Sequence, residues 1–326
     1  MTQVLANIYN PEPVLVASAT LDGIAGAAIW ASRLPGLQSW LFAPEGLGRL
    51  VFSSPALMTN LRFNALHVFN LPLVDEDLPV VETVLKRSGL TEKVWLDHHY
   101  QSREQQALLL RNGVRLVNEP RHHLSSRLLL EYLDKPEPWM RELVEAVEQG
   151  PATAGEPWLS WLLVFLAVAG EPFGIRQAIS PLAERRFEAF DPALKKIGLD
   201  QWRQIREMAG GALHEVPLTG HRLVVVGLPH SRQQDYQLLV RTIFREKEAQ
   251  LALVFFDQAP RMILAVNPPN RDEFDLLACG EALEQGGFHT WHYDRLTLFA
   301  QHDELKTLAA IEKTLTVLQA WASFNN

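Results

Sequence analysis

A single cysteine, Cys279, occurs in 326 residues. One thiol forms no intrachain disulfide and supplies no cysteine-rich zinc site, so a reducing compartment, the cytoplasm, is expected. A basic excess is also lacking. Lys and Arg total 30 against 38 Asp and Glu, a net charge of −8. That balance argues against a broad nucleic-acid footprint and leaves room only for a local basic groove. Long apolar runs are missing as well. The most hydrophobic window, Trp158 to Gly170, falls short of the roughly 20 residues a membrane span needs and reads as a buried helix. Met1 to Asn10 lacks a basic start followed by an apolar run, so no secretory signal is read there. No internal repeat or low-complexity segment is present.

Hydrophobic residues make up 47% of the chain. A packed globular protein is expected, with length enough for two domains. Val14-Leu15-Val16-Ala17 reads as a strand, SATLDG as a loop, and Ile24 to Leu34 as a helix. Further short strands are expected at Trp40–Phe42, Arg49–Phe52, Ala65–Phe69 and Lys93–Leu96. Helical patterns at Leu78–Ser88 and Arg103–Asn112 lie between or after them. Apolar strands alternating with helices predict a parallel sheet covered on both faces. From about Trp202 a second pattern begins, with strands at His221–Leu228, Leu251–Asp257, Arg261–Asn267 and His292–Phe299. Helices are expected at Gln234–Lys247, Asp272–Glu284 and Leu305–Phe324. The fold class is therefore α/β, with a Rossmann-like parallel-sheet domain over residues 1–174. A helical connector over 175–205 and a smaller α+β domain over 206–326 follow.

The stretch VWLDHHY ends a strand on Asp97, His98 and His99. By themselves the three residues fit a polar strand end as readily as a metal site. About 75 residues earlier stands Asp22-Gly23, at the start of the first helix. A third element, Gly286-Gly287-Phe288-His289, follows a helix in the second half. Taken together, these features are similar to those of the DHH-family phosphoesterases, named for the Asp-His-His triplet. The resemblance covers nearly the whole chain. It implies a two-domain phosphoesterase that uses Mn²⁺ or Mg²⁺ on nucleotides, oligonucleotides, cyclic dinucleotides or polyphosphate.

The chain departs from the family pattern where the metals would sit. The family's first motif resembles His-Thr-Asp-x-Asp-Gly, and here it reads Ser18-Ala19-Thr20-Leu21-Asp22-Gly23. Ser18 and Thr20 replace a histidine and an aspartate, and only Asp22 remains. Asn70 stands where the family carries a metal-bridging aspartate. Glu148 stands for the fourth-motif aspartate. Two-metal hydrolysis needs two cations about 3.5–4 Å apart, held by carboxylates and imidazoles. Hydroxyls and an amide compete poorly with water for such ions, so the first site is expected to be lost. What the resemblance leaves is at most one ion, weakly held by Asp22, His98, Glu148 and Asn70. In this scheme Asp97 orients an imidazole and His99 faces the phosphate. His289, Gly286 and Gly287 hold the far end of the substrate, in a cleft between the domains.

Ordinary structural roles stand beside these. Asp22 would cap the helix that follows it. Glu148 would sit solvated near a helix end, with Gly150 as the C-cap. Asp75, Glu76 and Asp77 would serve the dipole of a helix starting near Leu78. His122-His123 would be a loop before a helix, with Ser125 and Ser126 near its start. Arg232 would be a surface arginine. The expected function is a DHH-like protein with impaired or lost two-metal hydrolysis that binds a nucleotide, an oligonucleotide end or another phosphate ligand. The alternative is an active metal-dependent phosphoesterase with a rearranged site. A protein partner and a homo-oligomer stay open.

Overall fold

The structure is a computed structural model. It describes residues 12–34, 37, 39–43, 48–59, 63–169, 175–186, 190–211, 214–218, 220–229, 235–257, 261–270, 272–292 and 296–324. Arg232 lies outside them. The chain divides into two compact units, Met1–Gly198 and Leu199–Asn326.

The first unit is built on five parallel strands, β1 (Glu12–Ser18), β2 (Ser39–Ala43), β3 (Phe63–Phe69), β4 (Glu92–Asp97) and β5 (Arg115–Asn118). Their order across the sheet is β2-β1-β3-β4-β5. Each neighbouring pair is parallel. The chain winds one way from β1 to β2 and the other way from β3 onward. Such a reversal opens a crevice at the carboxyl ends of the strands beside it. Ser18 closes β1, Asn70 follows β3 and Asp97 closes β4. These three of the polar residues singled out in the sequence thus fall at that one end.

The helices of this unit are α1 (Leu21–Ala31), α2 (Gly48–Phe52), α3 (Pro55–Thr59), α4 (Leu78–Leu85), α5 (Arg103–Arg111), α6 (Ser125–Tyr132), α7 (Pro138–Gln149), α8 (Trp158–Val168) and α9 (Ile175–Ala183). A longer helix, α10 (Pro192–Gly210), runs from the first unit into the second. Arg49–Phe52, expected as a strand, belongs to α2. A short apolar run carries no period by which strand and helix can be told apart. The window at Trp158 forms the buried helix α8. Among the described residues, no helix is long and apolar enough to cross a membrane. Helix α1 is buried along nearly its whole length, which suits its Ala- and Ile-rich sequence. It lies so close to β3 that a Cβ at Gly26 would come within 1.9 Å of the Phe69 ring.

The second unit has a six-stranded mixed sheet of β6 (His214–Leu218), β7 (His221–Leu228), β8 (Leu251–Phe256), β9 (Arg261–Val266), β10 (His289–His292) and β11 (Thr297–Gln301). The order is β10-β11-β9-β8-β7-β6, and only β7 and β8 run parallel. Its helices are α11 (Tyr236–Glu246), α12 (Leu276–Gln285) and α13 (Thr307–Phe324). One core of this unit joins Leu253, Leu264 and Leu298 to Cys279, Leu283 and Leu318. Burial pushes the Cys279 thiol up to about 12, with the Asp275 charge adding to it, so it stays an inert apolar group.

His67 sits buried in the middle of β3. The Trp30 indole N–H donates to its Nδ1 at 3.2 Å. Burial lowers its pKa from 6.5, outweighing the opposing pull of Glu92. Above pH 6.5 the ring is neutral in both folded and unfolded states. As pH falls below that, the unfolded chain takes up the proton first, and stability is lost until the folded ring's own lower pKa is reached. Urea unfolding as a function of pH should show this loss in the wild type. It should be reduced in His67→Gln, and equal slopes in the two proteins would show that His67 is not its source.

Candidate functional site

The site is assembled at the carboxyl ends of β1, β3 and β4, against the N-terminus of α6. Asp22, in the first turn of α1, reaches across to that helix. Its Oδ2 accepts the Ser125 backbone N–H at 2.8 Å and its Oδ1 the Ser126 N–H at 3.1 Å. The Ser126 hydroxyl donates a short bond to the same Oδ1. Helix α6 has Leu124 at its N-cap position and no cap from its own segment. The first N–H groups of a helix need an acceptor, and a carboxylate also suits the positive end of the helix dipole. Asp22 therefore caps a helix that begins 103 residues further along the chain. The cap of α1 itself is Thr20, whose Oγ1 accepts from the Gly23 N–H at 3.1 Å.

Asn70 lies at the centre, fully buried, with a left-handed backbone at φ 50. Asparagine tolerates this conformation better than most residues. Its amide orientation follows from the surrounding network. The oxygen faces the Ser18 hydroxyl at 2.7 Å, the Thr20 hydroxyl at 3.0 Å and the Gly23 N–H at 3.1 Å. The nitrogen faces Ser125 Oγ at 2.9 Å, Asp22 Oδ2 at 3.1 Å and His98 Nδ1 at 3.2 Å. Ser18 and Thr20 are also 2.8 Å apart through their hydroxyls. Gly23 permits this crowding, because a Cβ there would lie 2.3 Å from Ser18.

Ser125 ties the triplet into the same network. Its Oγ accepts the His98 backbone N–H at 3.1 Å and lies 2.7 Å from His98 Nδ1. With the Asn70 nitrogen facing Oγ, the serine hydroxyl is the donor to Nδ1, and a neutral His98 ring carries its proton on Nε2. His99 Nδ1 contacts Asp97 Oδ1 at 2.5 Å, with both side chains wholly buried. Burial alone would raise the Asp97 carboxyl. The charge and hydrogen bond of His99, with His98 behind it, outweigh that and hold it below the ordinary carboxylate range. Asp97 Oδ2 has no hydrogen-bond partner among the described residues.

The structure brings together Asp22, Asn70, Asp97, His98 and His99, with Ser18, Thr20, Ser125 and Ser126 completing the set. Glu148 is engaged elsewhere. Its carboxylate pairs with Arg127 through both oxygens and with His123 Nε2 at 3.0 Å. Burial would raise its pKa, and the bonds from His123 and Arg127 more than reverse this. In the second unit Gly286 caps α12, Gly287 turns at φ 85 and Phe288 is buried. His289 is exposed, with Nε2 3.1 Å from Asp303. Sequence reasoning placed Ser125 and Ser126 at a helix start and missed their bonds to Asp22 and His98. An uncapped helix start beginning with two serines was the only signal.

No family model matches the chain, and no curated protein matches it by sequence. Solved structures do match. One is a DHH domain described as belonging to a member of a family of ribosomal proteins. It has a TM-score of 0.59 at 14% identity, over 96% of this chain and 88% of that one. Another is exonuclease RecJ bound to manganese, with a TM-score of 0.51 at 13% identity, over 98% and 93%. The chain has the two-domain DHH fold.

A pair of divalent cations, as the fold implies, does not suit the donors present. Ser18, Thr20 and Asn70 are neutral and bonded to one another, and both Asp22 oxygens are taken by α6. One donor each from Asp97, His98 and His99 lie within 4.8 Å of one another, the one group among the described residues with that geometry. If Asp22 is a cap, Asp22→Asn should destabilise chelator-treated protein by about 1–3 kcal/mol in urea unfolding. A carboxylate kept for a metal would give the opposite sign, because its removal relieves charge in the metal-free state.

Proposed function

We propose that this chain binds a nucleotide, an oligonucleotide end or another phosphate ligand on a DHH framework whose two-metal hydrolysis is impaired or lost. One observation carries the reading. The groups standing where cation ligands are expected, Ser18, Thr20 and Asn70, spend their polar atoms on one another and on Gly23. Asp22 spends both oxygens on the start of α6. A hydrated divalent ion entering there would have to break several buried hydrogen bonds and would gain no bridging anion in return.

The proposed ligand contact in the first unit is His99, with Asp97 orienting its ring through Nδ1. A second phosphate contact is proposed at His289 and the Gly286–Gly287 turn. A phosphate at His289 would take the place of the Asp303 carboxylate as its acidic partner. RecJ, which shares the fold, is an exonuclease, and this favours a ligand of the nucleotide class.

A second reading keeps hydrolysis with one Mn²⁺ or Mg²⁺ held by Asp97, His98 and His99. The orphan Asp97 Oδ2 beside two imidazoles is the observation in its favour. The His98–Ser125 bond weighs against it, because a neutral ring that accepts at Nδ1 keeps its Nε2 lone pair protonated. Titration calorimetry with Mn²⁺ separates the two readings. The wild type should bind no tighter than millimolar and show no phosphodiesterase turnover. The combined variant Ser18→His, Thr20→Asp, Asn70→Asp should bind Mn²⁺ at least about a hundredfold more tightly. Tight binding and turnover in the wild type would decide for the second reading.

A further inference from the structure

Trp291 stands in solvent on β10, the edge strand of the second unit's sheet. Its residue surface is 36% exposed. Among the described residues, Tyr100 is the other exposed large aromatic, and the remaining exposed large apolar side chains are aliphatic.

The strand register fixes what surrounds the ring. His289 lies opposite Gln301, and Gln301 opposite Arg261. In the next row Trp291 lies opposite Phe299, and Phe299 opposite Ile263. Opposed residues share a face of a sheet, as do alternate residues of one strand. His289, Trp291, Gln301, Phe299 and Arg261 therefore stand on one face. Met262, Leu264 and Leu298 take the opposite face, in the core with α12 and α13.

The ring is also held in place. Phe299, itself buried, stacks with it at 5.4 Å between centroids and 11° between planes. Tyr236, at the start of α11, meets Phe299 edge-on at 5.9 Å. The Arg261 guanidinium carbon lies 5.5 Å from the Trp291 ring centre, a cation–π contact. His289, with its side chain 76% exposed, sits two residues along the same strand, about 6.5 Å away. One nucleotide spans that distance between its base and its phosphate.

A braced aromatic surface open to solvent, with a cation over it, suits a flat ring joined to an anion, which is how single-stranded nucleic acid is held. A protein partner suits it less. Such an interface buries on the order of 800 Å² on each side, whereas the residues beside Trp291 on this face, Gln301, Arg261 and His289, are polar. The net charge of −8 argues against a long basic track, so the fit is to one or a few nucleotides.

We propose that Trp291 stacks the base of a bound nucleotide whose phosphate lies toward His289 and Arg261. The inference rests on the nucleotide reading above. It adds the residue that holds the base.

The test compares two single-stranded probes by calorimetry on the full chain: a short oligodeoxyadenylate, and the same sugar-phosphate chain with abasic sites. Wild type should prefer the probe with bases by roughly tenfold or more, the gain a stacked base supplies. Trp291→Ala should erase that preference and leave abasic binding unchanged. Trp291→Phe should keep part of it, and guards against a folding failure in the first variant. His289→Ala should weaken both probes by the same factor. Equal wild-type affinity for both probes overturns the role of Trp291 while the phosphate reading stands. Wild type binding neither probe overturns the phosphate reading and the inference with it. A preference that survives in Trp291→Ala overturns the inference, and so does a Trp291→Ala protein that changes only its oligomeric state, which would mark a contact between copies of the chain.

Discussion

The interaction on which the rest of the site depends is the hold of the Asp22 carboxylate on the N-terminus of α6. It joins two elements 103 residues apart in sequence. Without it, the Ser125 and Ser126 N–H groups would be buried donors with no acceptor, a costly state. With it, Ser125 is placed to meet Asn70 and His98. The triplet is then held from two sides, by Ser125 at His98 and by Asn118 at the backbone of Asp97 and His99.

The same hold supports the proposal that this chain dispenses with the manganese to which RecJ, a protein of the same fold, is bound. A pair of cations would bridge loops by neutralising several carboxylates. Here two carboxylates remain, and each has a protein partner: Asp22 has the helix start and Asp97 has His99. The hydroxyls and amide of Ser18, Thr20 and Asn70 fill the space between them with neutral hydrogen bonds. On the proposed reading, such a network takes the place of a metal.

Much of the fold was legible in the sequence, because parallel strands buried on both faces read as continuous apolar runs. The runs at Val14, Ala65 and Lys93 became β1, β3 and β4, and the Asp97 triplet fell at a strand end as its position implied. Arg49–Phe52 was not legible, since one helical turn and one short strand look alike without flanking period. The meeting of Asp22, Asn70 and the triplet was expected from a resemblance between motifs, and topology accounts for it: all lie at one end of adjacent strands. The role of Ser125 and Ser126 was hidden, because a cap donated from a distant segment leaves no local pattern. Glu148 shows a similar limit. Its resemblance to the family's fourth motif suggested a ligand position, whereas its partners, Arg127 and His123, are set by the packing of α6 and α7.

The most direct test of this account is the thermal unfolding of the wild-type protein, first in excess chelator and then in millimolar Mn²⁺. A ligand that binds only the folded state raises the melting temperature with its concentration. A site closed by its own hydrogen bonds predicts the same Tm in both conditions. A rise of several degrees in Mn²⁺ would show a cation stabilising the folded chain and would contradict the claim that these hydrogen bonds stand where the metals would be.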